Sequence, residues 1–206
     1  MLKKKIVIKG PLLSRSGYGE QARFAFRALR SREDLFDIYA VNIPWGQTGH
    51  LSDMSEETNY IHDVLMKTQA YVQNQPSFDI SLQVTIPNEF EKIAPLNIGY
   101  TAGIETTKVS PQWIQKCNEN IDKVIVVSDH SKKVFEQTKY KLEDQNGNAI
   151  PNWGVQVPIE TVNYCVRHFE PEAVEIDLKT SKNFLAVSQW GPRKNVDNTI
   201  RWFIEK

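Results

Sequence analysis

Residues 5–29 read KIVIKGPLLSRSGYGEQARFAFRAL and predict a strand, a glycine-bearing loop and a helix, in that order. The β-branched run at residues 6–8 is typical of a buried parallel strand, and Pro11 ends it. From Tyr18 onward, apolar residues recur at helical spacing. A helix that begins in such a loop presents unpaired backbone N–H groups at the positive end of its dipole. The segment therefore predicts a phosphate-binding site.

Strand and helix patterns alternate along most of the remaining chain. Further strands are predicted at residues 36–43, 78–84, 96–101, 123–127 and 159–166, and helix starts at Ser55, Ser110 and Ser128. Parallel strands need connecting segments that pack back on the sheet. The predicted fold class is therefore α/β, a Rossmann-like parallel sheet with helices on both faces. Ligands of such a sheet should bind at the carboxyl ends of its strands.

Two domains are predicted. The first covers residues 1–181, with an irregular insert at about 140–158 and a charged, proline-bearing linker at about 169–181. The second begins at residue 182, where NFLAVS (183–188) predicts a new strand and residues 196–204 predict a new helix. Because the chain stops at Lys206, inside that helix, we expect the second domain to be truncated.

The composition limits the classes of partner and cofactor. Lysines and arginines number 25 and acidic residues also number 25, which argues against a nucleic-acid partner. The basic run Lys3, Lys4 and Lys5 is interpreted as a solvated strand start in preference to a membrane contact. Neither the four histidines nor Cys117 and Cys165 have metal-ligand spacing, so no metal site is expected. With no secretory leader recognised, we predict a cytoplasmic protein.

Two segments resemble family-4 retaining glycosyltransferases of the two-Rossmann-domain (GT-B) type. They are residues 97–135, NIGYTAGIETTKVSPQWIQKCNENIDKVIVVSDHSKKVF, and residues 184–195, FLAVSQWGPRKN. The glycine loop is also similar to theirs. The resemblance implies a hexosyltransferase-like enzyme whose first domain holds the acceptor and whose second domain holds a nucleotide-sugar donor. The acceptor, which would be a glycan, a lipid or a small molecule, is left open, and no cofactor is implied.

The resemblance also implies roles for particular residues. Donor-phosphate contacts are expected from Gly17, Tyr18, Gly19, Gln189, Arg193 and Lys194. An ammonium beside the leaving diphosphate offsets the negative charge that grows as the glycosidic bond breaks, which suits Lys194. Glu105, in the turn after the fourth strand, is the candidate catalytic residue. Acceptor-side positions are Glu20, Thr101, Thr106 and Ser128. The 206-residue chain alone is expected to be inactive because most of the donor domain is missing.

Two alternatives remain open. The first is a dinucleotide-binding domain, since Gly17, Gly19 and Ala22 fit the pattern G-x-G-x-x-A. In that fingerprint the first glycine follows the strand almost directly and an acid ends the second strand. Here residues 11–16 intervene and Asn42 stands in place of the acid, so the transferase is favoured. The second alternative is a non-catalytic binding module or a gene fragment.

Overall fold

The structure is a computed structural model that describes residues 2–73, 77–143, 149–173, 175–188 and 190–205. The chain divides into two compact units, Met1–Val166 and Arg167–Lys206. The first unit thus ends before the predicted linker at 169–181. In the part of the chain that is described, no helix combines the length and the apolar character needed to cross a bilayer.

The first unit contains a six-stranded sheet in which every strand pair is parallel. The strands along the chain are β1 (Lys4–Gly10), β2 (Phe36–Asn42), β3 (Ile80–Val84), β4 (Leu96–Tyr100), β5 (Lys123–Val126), β6 (Tyr140–Glu143), β7 (Ala149–Trp153) and β8 (Ile159–Thr161). The sheet has the order β2-β1-β3-β4-β5-β8, while β6 and β7 form a separate antiparallel ribbon. The predicted α/β, Rossmann-like parallel sheet is confirmed.

Helices cover this sheet on both faces. The helices of the first unit are α1 (Gly17–Arg30), α2 (Glu56–Val72), α3 (Pro111–Asn120) and α4 (Asp129–Gln137). One hydrophobic cluster contains α1 and α2 side chains such as Phe26 and Ile61, and a second contains Ile114 of α3 and Phe135 of α4. In β5, Val124 and Val126 belong to the second cluster and Ile125 packs against the first. Since neighbouring residues of a strand point to opposite faces, the two clusters lie on opposite sides of the sheet.

Two segments of the first unit differ from the sequence prediction. Residues 140–158, predicted as an irregular insert, contain the β6–β7 ribbon, in which Tyr140 lies opposite Trp153. The turn predicted around Gly147 lies outside the described residues. The strand predicted at 159–166 ends at Thr161, where it pairs with Val126, the last residue of β5. A parallel strand can extend only as far as its neighbour offers hydrogen-bonding partners.

The connection between β3 and β4 contains a 3₁₀ turn, Pro87–Glu89, where most other crossovers of the sheet contain a helix. Phe90, which is fully buried, follows the turn and packs against β4. A Cβ atom at Gly99 of β4 would lie 2.5 Å from the Phe90 ring, so glycine is required there by the close approach of that ring. The turn is therefore fixed against the sheet.

The second unit contains a 3₁₀ turn, Pro192–Lys194, and helix α5 (Val196–Glu205). The helix predicted at 196–204 is thus present. The strand predicted at 183–188 is not assigned as a strand, since no described segment pairs with it. The Phe184 ring lies 5.1 Å from that of Phe203, between ring centroids. Several apolar side chains of the unit are largely exposed: Phe184, Leu185, Val187, Trp190, Trp202, Phe203 and Ile204.

Candidate functional site

The strand order reverses between β1 and β3. The chain leaves β1 for β2 on one side of it, while β3 lies on the other side. Loops that leave neighbouring parallel strands in opposite directions open a crevice at the carboxyl edge, which is where ligands of such sheets bind. The segments that follow these strand ends are the glycine loop (residues 11–19) after β1, residues 85–89 after β3 and residues 101–110 after β4.

The two glycines of the glycine loop have different surroundings. Gly17 is exposed at the first position of α1, and no atom lies within 4 Å of the place where its Cβ would be. At Gly19 a Cβ would lie 2.1 Å from the carbonyl oxygen of Ser14. The N–H of Gly19 also donates to Oγ of Ser16, the N-cap of the helix, at 3.0 Å. Gly19 is therefore required by the packing of the loop itself, whereas Gly17 leaves open space at the helix start.

A buried guanidinium holds the glycine loop. Nη1 of Arg23 donates to the carbonyl oxygens of Leu12 and Ser14, at 2.8 and 2.9 Å. Its Nη2 and Nε donate to Oε2 of Glu20, at 2.7 and 3.1 Å. Glu20, predicted on the acceptor side, thus pairs with Arg23 and also lies 3.5 Å from Arg27. One cation on α1 therefore ties two carbonyl groups of the loop to the helix that follows it.

The loop after β2, which contains Trp45, packs on the glycine loop. The Arg15 N–H donates to the Gly49 carbonyl at 2.7 Å, and the Leu51 N–H donates to the Leu13 carbonyl at 2.8 Å. Through these bonds the segment that follows Trp45 is held against the β1 loop.

Asn42 also takes part in this packing, at the end of β2. Its Oδ1 accepts a hydrogen bond from the Leu13 N–H at 3.0 Å. The residue that stands where a dinucleotide fold carries a ribose-binding acid thus has a structural partner.

Tyr18 connects the start of α1 to the end of β4. Its hydroxyl lies 3.0 Å from Oγ1 of Thr101 and accepts a hydrogen bond from the Ala102 N–H at 3.1 Å. Burial raises the pKa of Tyr18, the hydrogen bonds with Thr101 and Ala102 oppose this in part, and the nearby Tyr164 and Glu89 side chains add to the rise. Tyr18 is therefore a neutral phenol at physiological pH, and its orientation is fixed.

Further aromatic side chains lie at the same edge. The Trp45 ring centroid is 4.5 Å from that of Tyr18. The Tyr164 hydroxyl accepts a hydrogen bond from the Gly103 N–H at 3.2 Å. Trp45 is half-buried and Tyr164 is 54% exposed. The sequence prediction singled out neither residue, although Trp45 comes directly after the proline that ends the second predicted strand.

A buried amide lies beneath this edge. Nε2 of Gln21 donates to the Thr101 carbonyl at 3.3 Å. Its Oε1 is buried and accepts no hydrogen bond from the described residues. Thr101, predicted on the acceptor side, is fully buried, and its side-chain oxygen contacts Tyr18. The side chain of Thr101 therefore supports the site from below and lies away from solvent.

Glu89 supplies a carboxylate to the crevice from the β3 side. Oγ1 of the fully buried Thr85 donates to Glu89 Oε2 at 2.5 Å, and Lys9 Nζ donates to the Glu89 backbone carbonyl at 3.3 Å. The carboxylate of Glu91, two residues later, instead pairs with Lys9 Nζ at 2.7 Å. The two acids of this segment thus have different environments. Glu89 is a candidate that the sequence prediction missed.

The remaining predicted residues of the first unit lie after β4 and β5. Ser128 is the N-cap of α4, where its Oγ accepts a hydrogen bond from the Ser131 N–H at 3.1 Å. Ser131 Oγ in turn accepts one from the Ile104 N–H at 3.2 Å, which ties the β4 loop to the start of α4. Glu105 is exposed in that loop, and Oγ1 of the exposed Thr106 donates to the Lys108 carbonyl at 2.7 Å. Ser128, predicted on the acceptor side, therefore caps α4.

The predicted donor residues of the second unit are described only in part. Arg193 and Lys194 are exposed and belong to the 3₁₀ turn Pro192–Lys194. Gln189 lies outside the described residues. In the described segments of both units, no cluster of three or more histidine, cysteine, aspartate or glutamate side chains could hold a metal ion.

Comparison with known proteins gives no match. No family model matches the chain, and neither does any curated protein or solved structure. A functional assignment therefore depends on the geometry described above.

Proposed function

We propose that the chain is the acceptor-side domain, followed by the beginning of the donor domain, of a retaining GT-B glycosyltransferase similar to family 4. The observation that supports this most directly is the open start of α1 at the crevice between β1 and β3. The surroundings of Gly17, the first residue of this 14-residue helix, are open, because nothing lies within 4 Å of its Cβ position. Such a helix start is suited to a diphosphate.

The proposed reaction needs charge stabilisation at that point. The bond between the anomeric carbon and a diphosphate oxygen breaks, a bond to an acceptor hydroxyl forms on the same face of the sugar, and the hydroxyl proton leaves with the diphosphate. Negative charge grows on the diphosphate, where the helix start is proposed to offset it. Arg193 and Lys194 of the second unit remain proposed donor-phosphate contacts, as the resemblance implies. Glu105 is the proposed catalytic residue at the acceptor edge.

The partners proposed for the site are a nucleotide-sugar and a hydroxyl-bearing acceptor. The basic run near the amino terminus is largely engaged within the protein. Lys5 Nζ donates to the Tyr71 hydroxyl at 2.8 Å, and Lys4 Nζ lies 3.6 Å from Asp79 Oδ1. These contacts favour the interpretation of Lys3–Lys5 as a strand start over a membrane contact.

The proposal is tested by nucleotide-sugar turnover in the polypeptide produced from its natural reading frame. A panel of nucleotide sugars is assayed for release of the nucleoside diphosphate, and the anomeric configuration of the product is determined by NMR. Gly17→Val adds bulk only to open space, so it should leave the melting temperature unchanged and lower turnover by about tenfold or more.

Ala28→Val, on the exposed side of the same helix, is the matched control and should keep full turnover. Full turnover by Gly17→Val would show that the helix start does not contact the donor. If no nucleotide sugar in the panel is turned over, the transferase itself is refuted. The 206-residue chain alone should not transfer sugar, and transfer by it would contradict its description as the acceptor side only.

A further inference from the structure

We infer that the acceptor of this site is an uncharged carbohydrate, whose ring packs on an aromatic row of Trp45, Tyr18 and Tyr164 and whose hydroxyl groups donate to the carboxylate of Glu89. This inference rests on the proposed function, because it names the acceptor class of the same site.

The aromatic row runs along the carboxyl edge of the sheet. Trp45 comes from the loop after β2, Tyr18 from the start of α1, and Tyr164 from the segment after β8. The rings of Trp45 and Tyr18 are 4.5 Å apart between centroids. The hydroxyls of Tyr18 and Tyr164 accept hydrogen bonds from the consecutive N–H groups of Ala102 and Gly103, at 3.1 and 3.2 Å. Three segments distant in sequence are thereby brought together in one row.

The residues of this row are partly exposed, although their positions are fixed. Tyr164 is 54% exposed, and Tyr18 and Trp45 are half-buried, whereas the neighbouring Tyr100 is buried at 8%. Aromatic rings in a core bury their faces, and their presence at a ligand-binding edge suits contact with an apolar surface. Because backbone N–H groups hold the two phenols, the row is organised before any ligand arrives. The C–H face of a sugar ring is such an apolar surface.

Glu89 supplies the polar part of the site. Thr85, which donates to its carboxylate, follows Val84, the partner of Tyr100 in the sheet, and Thr101 follows Tyr100 and contacts the Tyr18 hydroxyl. Oε2 accepts a hydrogen bond from Thr85, while Oε1 accepts none from the residues that the structure describes. A carboxylate accepts several hydrogen bonds, so an oxygen remains for the hydroxyl groups of a ligand. Vicinal hydroxyls are the donors that a sugar ring provides.

The charge of Glu89 also excludes other acceptors. A phosphate or carboxylate group on the acceptor would place negative charge beside this exposed carboxylate, and the two like charges would repel each other. A purely apolar lipid surface would leave the carboxylate desolvated without a donor. Among the glycan, lipid and small-molecule acceptors that the sequence left open, the geometry therefore favours the glycan.

The experiment measures binding of neutral glycosides to the 206-residue chain without a donor. The probes are methyl α-D-glucopyranoside, methyl α-D-mannopyranoside, methyl α-D-galactopyranoside and cellobiose, with glucose 6-phosphate as the charged comparison. Binding is followed by saturation-transfer NMR and by tryptophan fluorescence. We expect at least one neutral probe to bind with magnetisation transferred from aromatic protons, and glucose 6-phosphate to bind more weakly.

The variants are Glu89→Gln and its matched control Glu91→Gln, whose carboxylate pairs with Lys9. Glu89→Gln should weaken binding about tenfold, because a hydrogen bond to a charged group is lost, and Glu91→Gln should stay within about twofold. Trp45→Ala should abolish the fluorescence change. Circular dichroism establishes that each variant is folded.

The inference is overturned if no neutral probe binds, if the two glutamate variants behave alike, or if glucose 6-phosphate binds more tightly than the neutral probes. These results are distinct from a failure of the proposed function. Turnover of nucleotide sugars without glycoside binding would overturn only the acceptor class. Glycoside binding without turnover of any nucleotide sugar would support a carbohydrate site and refute the transferase.

Discussion

Replacing each glycine of the glycine loop by alanine should change stability in opposite directions. At Gly19 the added Cβ would lie 2.1 Å from the Ser14 carbonyl oxygen and 3.1 Å from that of Pro11. Ordinary van der Waals contact begins at 3.4 Å, so the Ser14 carbonyl would have to move by more than an ångström. At Gly17 no atom lies within 4 Å of the new Cβ, and the residue already occupies a helical position.

The expected free-energy changes follow from these contacts. Moving the Ser14 carbonyl disrupts its hydrogen bond with Arg23 Nη1, which is 2.9 Å long and charge-assisted. Loss of such a bond together with overpacking costs roughly 3 kcal/mol of unfolding free energy. Gly17→Ala instead restricts the unfolded chain and adds helix propensity, which stabilises the protein by about 0.5 kcal/mol.

Urea unfolding followed by circular dichroism measures both changes. With a slope of about 2 kcal/mol per molar, Gly19→Ala should lower the urea midpoint by about 1.5 M, and Gly17→Ala should raise it by about 0.2 M. The reasoning would be refuted if Gly19→Ala unfolded at the wild-type midpoint, or if Gly17→Ala were the less stable of the two variants. An unchanged slope is required for the comparison, since it shows that the same surface is exposed on unfolding.

Three further outcomes are expected. Arg23→Met should lower the free energy of unfolding by about 3 kcal/mol in the same urea assay, because the Leu12 and Ser14 carbonyls lose a buried donor. A loss under about 1 kcal/mol would show that Arg23 does not hold the glycine loop. Burial raises the pKa of Tyr100 to about 12, so the stability that its neutral form provides is complete below pH ~10 and is lost as the pH rises through about 12. Tyr100→Phe should therefore retain about 2 kcal/mol more of its neutral-pH stability than wild type at about pH 11.5, and equal losses in the two proteins would disprove this. Lys194→Ala in the complete protein should lower donor turnover by about 10² to 10³, Lys179→Ala should leave it unchanged, and equal turnover in both variants would rule out the phosphate role of Lys194.

Local sequence patterns were sufficient to predict the strands of the parallel sheet and the helix starts of the first unit, but they did not indicate the β6–β7 ribbon. The β-branched residues at 6–8 and 124–126 lie in β1 and β5, and the predicted starts at Ser55, Ser110 and Ser128 are the N-cap residues of α2, α3 and α4. These features depend on side chains close together in the chain, so periodicity and capping chemistry indicate them.

The candidate site was only partly predictable, because its residues meet through strand order. The glycine loop and Thr101 were identified by their position after predicted strands. Trp45 and Glu89 lie in loops without periodicity, and nothing local indicates that the ends of β2 and β3 lie on either side of β1. The structural need for Gly19 was also hidden, since it arises from a carbonyl five residues earlier. Prolines directly after strands, such as Pro44, are the signal that could have marked such positions.

The hydrogen bonds from Arg23 to the glycine loop affect how that loop binds a ligand. Fixing the backbone of a mobile loop costs about 1 to 2 kcal/mol per residue, and a ligand that orders such a loop gives up that amount of affinity. Here the carbonyls of Leu12 and Ser14 are already held by the guanidinium, and Gly19 is held by Ser16. Binding of a ligand at the start of α1 therefore requires no folding step in the glycine loop. The association rate of the ligand should be set by diffusion and electrostatic attraction.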